Sequence, residues 1–444
     1  MNKLLLALIC GSAVSSFTFT AQASPTFCVP ETFGGKGDAR TLNTHAIQQA
    51  IQQCSERGGG TVRLSPGIWL SGPLQLKSNI TLQIDKGATL KASNQEGKFV
   101  QAFIGRPARA KEAFIFASDA HNVSITGGGI LDGDGEKNWW PEALKIRAEV
   151  RSGNTKAFTD RFPGIPLANG VPRPWFVEFN NVTGGKLEHL YLTNSPMWNI
   201  VIRNSSDIDV HDVTINNPAT SPNTDGMDII SSHNVTVSNM DIYTGDDNIA
   251  IKSGLIPGTA APSKDILVRN STIRNGHGIS IGSETANGIG NVTVSHVTFI
   301  NTKNGLRIKS ARDRGNIIGP LVADHLTMTN VATPVLVTNS YNGQSGTKGN
   351  MLTSALDDAQ VTATTPKISG VNISNLTATN AKYAMIFSGL PESVIQGVLL
   401  DHIDIDSKYG MQVRYVSGKG EAVRIKTQQG PELDQGPQAA LQLN

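Results

Sequence analysis

Four short segments of this chain carry the side chains able to do chemistry: SPNTDGMDIIS (221–231), TGDDNIAIKS (244–253), NGHGISIGS (275–283) and NGLRIKS (304–310). They superpose as one pattern: a polar turn, a Gly or Asn, then an apolar–x–apolar strand. Taking Ile229, Ile251, Ile281 and Ile308 as equivalent gives intervals of 22, 30 and 27 residues. In that register Asp225, Asp247 and His277 each stand four residues before the isoleucine, and Arg307 and Lys309 flank the last one. Equivalent residues on stacked parallel strands lie about 4.8 Å apart, so two carboxylates and an imidazole are expected in a row. Asp246 adjoins Asp247 and points elsewhere unless the turn splays both side chains outward.

Carboxylates this close cannot all ionise freely, so at least one pKa is expected to rise. A protonated carboxyl and an ionised one facing a common bond is what hydrolysis of a glycosidic linkage requires. Alternation puts Arg307 and Lys309 on one face with Ile308 turned inward. A guanidinium and an ammonium beside acidic residues suit an anionic sugar, so uronic acid polymers are the expected substrates. An Asp beside a Gly is ordinarily only a turn former, and three Asp could instead hold calcium. The imidazole and the two cations argue against both, and no metal or other cofactor is expected.

A row of this kind needs a stack to hold it. A second repeat, in segments such as IDVHDVTINN, VTVSNMDIYT and VTVSHVTFIN, aligns on Leu192, Ile215, Ile242, Ile273, Phe299, Met328, Ala378 and Ile405. Its intervals are 23, 27, 31, 26, 29, 50 and 27 residues, the 50 reading as about two turns with a looser loop near 341–365. Period-2 alternation, β-branched residues and Asn/Gly turns favour strands over helical repeats. Each turn then carries two strands. The expected fold is all-β, a single-stranded right-handed parallel β-helix, and such a stack grows by layers, so residues 24–444 are expected to form one domain. Recurrent turn asparagines (Asn194, Asn216, Asn217, Asn239, Asn270, Asn301, Asn330 and Asn375) predict amide side chains stacked between coils.

Ahead of the strands, NTHAIQQAIQQC (43–54) has apolar residues at helical spacing and ends at three glycines. It predicts a short N-terminal helix, capped by Asn43 or Thr44, that covers the open end of the stack. Residues 138–175 break the repeat with Trp139-Trp140, a charged helical piece and a Pro/Gly-rich stretch. An insertion of that length is expected to form a wall beside a cleft.

Residues 1–23, with Lys3, LLLALIC and Ala21-Gln22-Ala23, read as a secretory signal. The expected location is therefore outside the cell or in the periplasm, with no membrane anchor. Three cysteines occur, of which Cys10 would leave with the signal. The remaining Cys28 and Cys54 favour a disulfide in an exported chain. A net charge of +2 over 444 residues gives no reason to expect a nucleic-acid partner, and a capped stack has no need to assemble, so a monomer is expected.

Asn223-Thr224-Asp225, Gly245-Asp246-Asp247, Gly276-His277-Gly278 and Arg307-Ile308-Lys309 resemble, in order and spacing, the four signature motifs of polygalacturonases, glycoside hydrolase family 28. The similarity extends over nearly the whole mature chain, no motif departs from the pattern, and the surrounding text resembles bacterial endo-acting members. The resemblance implies metal-free, inverting hydrolysis of the α-1,4-D-galacturonosidic linkages of polygalacturonate and pectin. It implies Asp246 as general acid, Asp225 with Asp247 as the pair that activates water, and His277 as the group tuning protonation. It further implies Arg307 and Lys309 as ligands of the sugar carboxylate, Asn223 as an orienting group and Tyr341 as a substrate contact. An exo-acting enzyme, a calcium-dependent pectate lyase and a non-catalytic carbohydrate-binding solenoid are the competing readings.

Overall fold

The structure, a computed structural model, describes residues 26–95, 99, 113–165, 167, 170–254, 260–341 and 354–444; the expected signal, residues 1–23, lies outside them. The described strands hydrogen-bond in parallel, coil upon coil, and form a right-handed parallel β-helix. One inward ladder runs Ile202–Ile229–Ile251–Ile281–Ile308–Val337, so the four isoleucines aligned in the sequence are direct neighbours. A second runs Leu192–Ile215–Ile242–Ile273–Phe299–Met328–Ala378–Ile405, again in the expected register. These side chains are buried in one apolar core continuous from Cys28 to Leu441.

Two expectations need correction. Each coil carries three strands rather than two, because a third inward ladder runs Leu187–Val210–Val237–Val268–Val294–Ala323–Ile373–Leu400. The second and third ladders meet at a one-residue corner formed by His189, Asp212, Asn239, Asn270, His296, His325, Asn375 and His402, all with φ between +50° and +54°. Asn, Asp and His are the side chains that best tolerate that left-handed conformation. A single residue turns the chain without ending its strand, which made two strands read as one. The 50-residue interval is also one coil, since Met328 pairs directly with Ala378.

Stacked amides are present where the turns align: Asn330 Nδ2 donates to Asn301 Oδ1 at 2.9 Å, and Asn380 Nδ2 to Asn330 Oδ1 at 2.7 Å. The N-terminal helix spans Thr44–Glu56 and buries Ala46, Ile47, Ala50, Ile51 and Cys54. Asn43 precedes it but makes no side-chain cap; its amide instead bonds Lys36 N and O and Thr41 O. The sulfurs of Cys28 and Cys54 are bonded, with Cα atoms 5.9 Å apart, tying the last helical turn to the first described strand. The insertion folds as helices Gly135–Asn138, Trp140–Arg151 and Lys156–Thr159. Trp140 Nε1 donates to Ser195 O at 2.9 Å, which fixes the insertion against the coil that leads into the candidate site.

Candidate active site

The polar turns stack as the strands do. Asn199 N–H donates to Asp225 O at 2.9 Å, Gly226 N–H to Asp247 O at 2.9 Å, and His277 N–H to Asp246 O at 3.0 Å. His277 lies between Gly276 (φ +63°) and Gly278 (φ +82°). A Cβ on Gly276 would stand 2.4 Å from Asp246 O, and one on Gly278 only 2.1 Å from Asn304 O. The two glycines therefore bring the imidazole turn against its neighbouring coils closer than any side chain allows.

Both members of the Asp246-Asp247 pair splay toward His277, whose Nδ1 lies 3.0 Å from Asp246 Oδ1 and 3.4 Å from Asp247 Oδ1. Asp247 is the hub. Its Oδ1 takes an ion pair from Arg307 Nη2 and a 3.1 Å hydrogen bond from Ser280 Oγ, and its Oδ2 takes Lys309 Nζ at 2.8 Å. Ile308, between the two cations, faces the core. Asn223 Nδ2 lies 3.5 Å from Asp246 Oδ2. Asp225 is 4% exposed, and its Oδ1 has no hydrogen-bond partner among the described residues. Tyr341 sits at the edge, its ring 5.6 Å from Lys309 Nζ. The predicted site residues thus converge, with Tyr341 at the margin beside Lys309 and within the field of Arg307 and Asp247.

A family model described as glycosyl hydrolases family 28 matches residues 54–423. The chain belongs to glycosyl hydrolases family 28. An endo-polygalacturonase of Pectobacterium parmentieri is 33% identical over 349 residues, 75% of this chain and 80% of that relative. Among solved structures, the exopolygalacturonase of Thermotoga maritima is 26% identical with a TM-score of 0.73, covering 91% of this chain and 93% of its own. The polygalacturonase from Erwinia carotovora ssp. carotovora is 28% identical with a TM-score of 0.62, covering 95% and 99%. The fold is the β-helix of these family 28 structures, and the protein is a glycoside hydrolase.

The electrostatics of this family 28 site are divided unequally. Burial, reinforced by Asp246 and Asp228, pushes the Asp225 carboxyl well above its usual range. Burial acts on Asp247 in the same sense, but Arg307 and Lys309 outweigh it and hold Asp247 well below. For Asp246, burial is overcome by the hydrogen bond from His277, and the net shift is downward. In the converse balance burial lowers His277, while its bonds to Asp246 and Asp247 raise it further. The atoms of Asp246, Asp247 and His277 are close enough for a metal, within 4.8 Å of one another. Both oxygens of Asp247 already engage cations, so a divalent ion would meet two resident positive charges, and the donor set does not fit one.

Several neighbours lie outside the sequence-predicted set. Lys303 Nζ approaches His277 Nε2 at 2.7 Å. An ammonium only donates, so Nε2 accepts and Nδ1 carries the hydrogen aimed at Asp246. The carboxylates favour a charged ring and Lys303 opposes it. A Lys303→Met variant is expected to raise the His277 pKa, as read by NMR titration of the imidazole; an unchanged or lowered value would remove Lys303 from this role. Burial raises Asp228 to about 8, and Lys252 lies 3.5 Å from Asp228 and 3.4 Å from Glu284. Lys252 is legible from the repeat, standing one residue after Ile251 as Lys309 stands after Ile308, and Asp228 and Ser280, each one residue before an aligned isoleucine, could have been found in the same way. Arg147 and Arg173 both donate to Asn223 Oδ1, at 3.0 and 2.8 Å; lying in the insertion, they carry no repeat signal.

Proposed function

We propose that this protein is an endo-polygalacturonase, hydrolysing the α-1,4-D-galacturonosidic linkages of polygalacturonate and pectin with inversion. The observation that carries the reading is the convergence of Asp225, Asp246, Asp247 and His277 on stacked turns, with Arg307 and Lys309 beside them. Once substrate is bound, Asp246, bonded to His277, takes the proton that Asp225 holds in the free protein and donates it to the departing glycosidic oxygen. Water attacks the anomeric carbon from the opposite face, and its proton passes to the Asp225–Asp247 pair. Asp246 ends ionised and the pair protonated, as in the free protein. Arg307 and Lys309, which hold Asp247 ionised in the free enzyme, also receive a substrate carboxylate; Asn223 orients Asp246, and Tyr341 contacts the sugar beyond Lys309. No metal takes part. The working unit is a single secreted or periplasmic domain, residues 24–444, acting as a monomer, with 138–175 as one wall of the cleft. Among the described residues no helix is long and apolar enough to cross a membrane.

Replacing Arg307 by Ala is expected to raise KM on polygalacturonate by about 10- to 100-fold, the worth of a hydrogen bond to a charged group. A KM equal to wild type would remove the carboxylate contact from Arg307.

An exo-acting enzyme is the second reading, favoured by the insertion helix that reaches Asn223 and by the likeness to the Thermotoga maritima structure. A timed digest of polygalacturonate with excess chelator separates the cases. New reducing ends, a rapid viscosity drop and no ultraviolet absorbance of unsaturated ends fit the endo-hydrolase. A slow viscosity drop with the same chemistry means exo action, and absorbance that needs calcium means a lyase.

A further inference from the structure

Two arginines of the insertion meet at Asn223, and their circumstances differ. Arg173 is almost fully buried and its donors are used: they bond Val171 O, Pro196 O, Pro222 O and Asn223 Oδ1. It braces the base of the insertion against the coil carrying Asp225. Arg147, on helix Trp140–Arg151, is half-buried and donates from Nη2 to Asn223 Oδ1 alone; Nε and Nη1 have no partner among the described residues. It forms no ion pair there either, although its charge is within reach of Asp246 and Asp225. Asn223 stands between the guanidinium and those carboxylates.

A half-buried guanidinium with most of its donors unused carries a desolvation cost that a planar anion would relieve. Beside Arg147 is a cavity of about 250 Å³, lined mostly by apolar side chains such as Ile146, Phe158 and Val171 and also by Arg147, Arg151, Arg173 and Asn223. It is smaller than the roughly 300–1,000 Å³ typical of small-molecule sites, so it suits one sugar-sized group. Arg147 reaches the first of the four stacked turns, whereas Arg307 and Lys309 rise from the last strand of the row, three coils along the axis. The charged ends of Arg307 and Lys309 reach back to Asp247 on the second turn, so the two cationic positions approach the carboxylates from opposite ends of the row.

We propose that Arg147, with the cavity beside it, is a second carboxylate-binding site that grips a uronate on the far side of the scissile bond from Arg307 and Lys309. The inference rests on the polygalacturonase reading for the identity of the anion. It makes the insertion a supplier of specificity as well as a wall. A chain bound at both ends of the row would be held across the aspartates in one direction.

The test is binding of trigalacturonate by calorimetry to protein carrying Asp246→Asn, with and without Arg147→Gln, alongside KM and kcat of Arg147→Gln and Arg147→Lys in the otherwise native enzyme. Arg147→Gln is expected to weaken trigalacturonate binding and raise KM on polygalacturonate at least about tenfold, with a much smaller change in kcat. Arg147→Lys should recover part of the loss. The melting temperature of Arg147→Gln should match that of the native protein. Equal trigalacturonate affinity with and without Arg147→Gln overturns the proposal, as does a loss accompanied by a lowered melting temperature and not recovered in part by Arg147→Lys, which would mark a structural role. Failure of the polygalacturonase reading has a separate sign: the native enzyme would release no reducing ends from polygalacturonate.

Discussion

Asp246→Asn is expected to fold as the native protein does and to lose about 10²–10⁴-fold in kcat on polygalacturonate, the usual worth of a general acid. The amide keeps the shape of the carboxyl and its oxygen can still accept from His277, giving up only the long 3.5 Å contact with Asn223 Nδ2, so melting temperature should hardly move. It has no proton to give the departing oxygen. A variant with native turnover would end the role assigned to Asp246. The unequal charging of the three carboxyls makes the experiment sharper. In the free protein the high proton affinity lies on Asp225, raised chiefly by burial, whereas Asp246 is held low by His277 despite burial. Asp246 therefore becomes the acid only if bound substrate moves the shared proton toward it, and otherwise Asp225 would serve. Substrates with a good leaving group separate the two, because such a group needs no protonation. Cleavage restored in Asp246→Asn but not in Asp225→Asn supports the proposed roles, and the reverse pattern exchanges them.

Gly278→Ala is expected to lower kcat/KM by about 100-fold, since a misplacement near 1 Å is enough for a loss of that size. The position combines a left-handed φ of +82° with a backbone oxygen 2.1 Å from the new Cβ. The conformation alone costs roughly 1–2 kcal/mol for a residue with a Cβ. The clash with Asn304 O must then be relieved by moving the turn that carries His277, and with it the bond to Asp246. Gly34→Ala is the control: φ is again +82°, but nothing lies within 4 Å of its Cβ. It should show a modest loss of stability with normal activity. Native kcat/KM in Gly278→Ala would mean that the turn yields without displacing the imidazole.

Much of this site was legible from spacing because a parallel ladder leaves little choice. Once Ile229, Ile251, Ile281 and Ile308 are inward neighbours, the residues at fixed offsets must stack, and those on either side of each isoleucine must face out. The fold class and the gathering of Asp225, Asp247, His277, Arg307 and Lys309 follow from that periodicity, and the capping helix from the helical spacing of residues 43–54. The third strand of each coil did not, because a one-residue corner shifts the apolar spacing from two to three, as from Val237 to Met240, without an obvious break.

What the sequence alone determined is the register of the two ladders it exposed: which of their side chains share a face, and in what order along the stack. Only the tertiary structure decided the quantities that depend on distance and burial. It turned Asp246 and Asp247 toward one imidazole, placed two cations on Asp247 and left Asp225 to be raised by its surroundings. It also brought Arg147 to Asn223 across 76 residues of chain. The physical reason is that repeats constrain only residues inside the repeat. Contacts made by an insertion depend on how its own helices pack, and proton affinity depends on the full set of charges around each carboxyl.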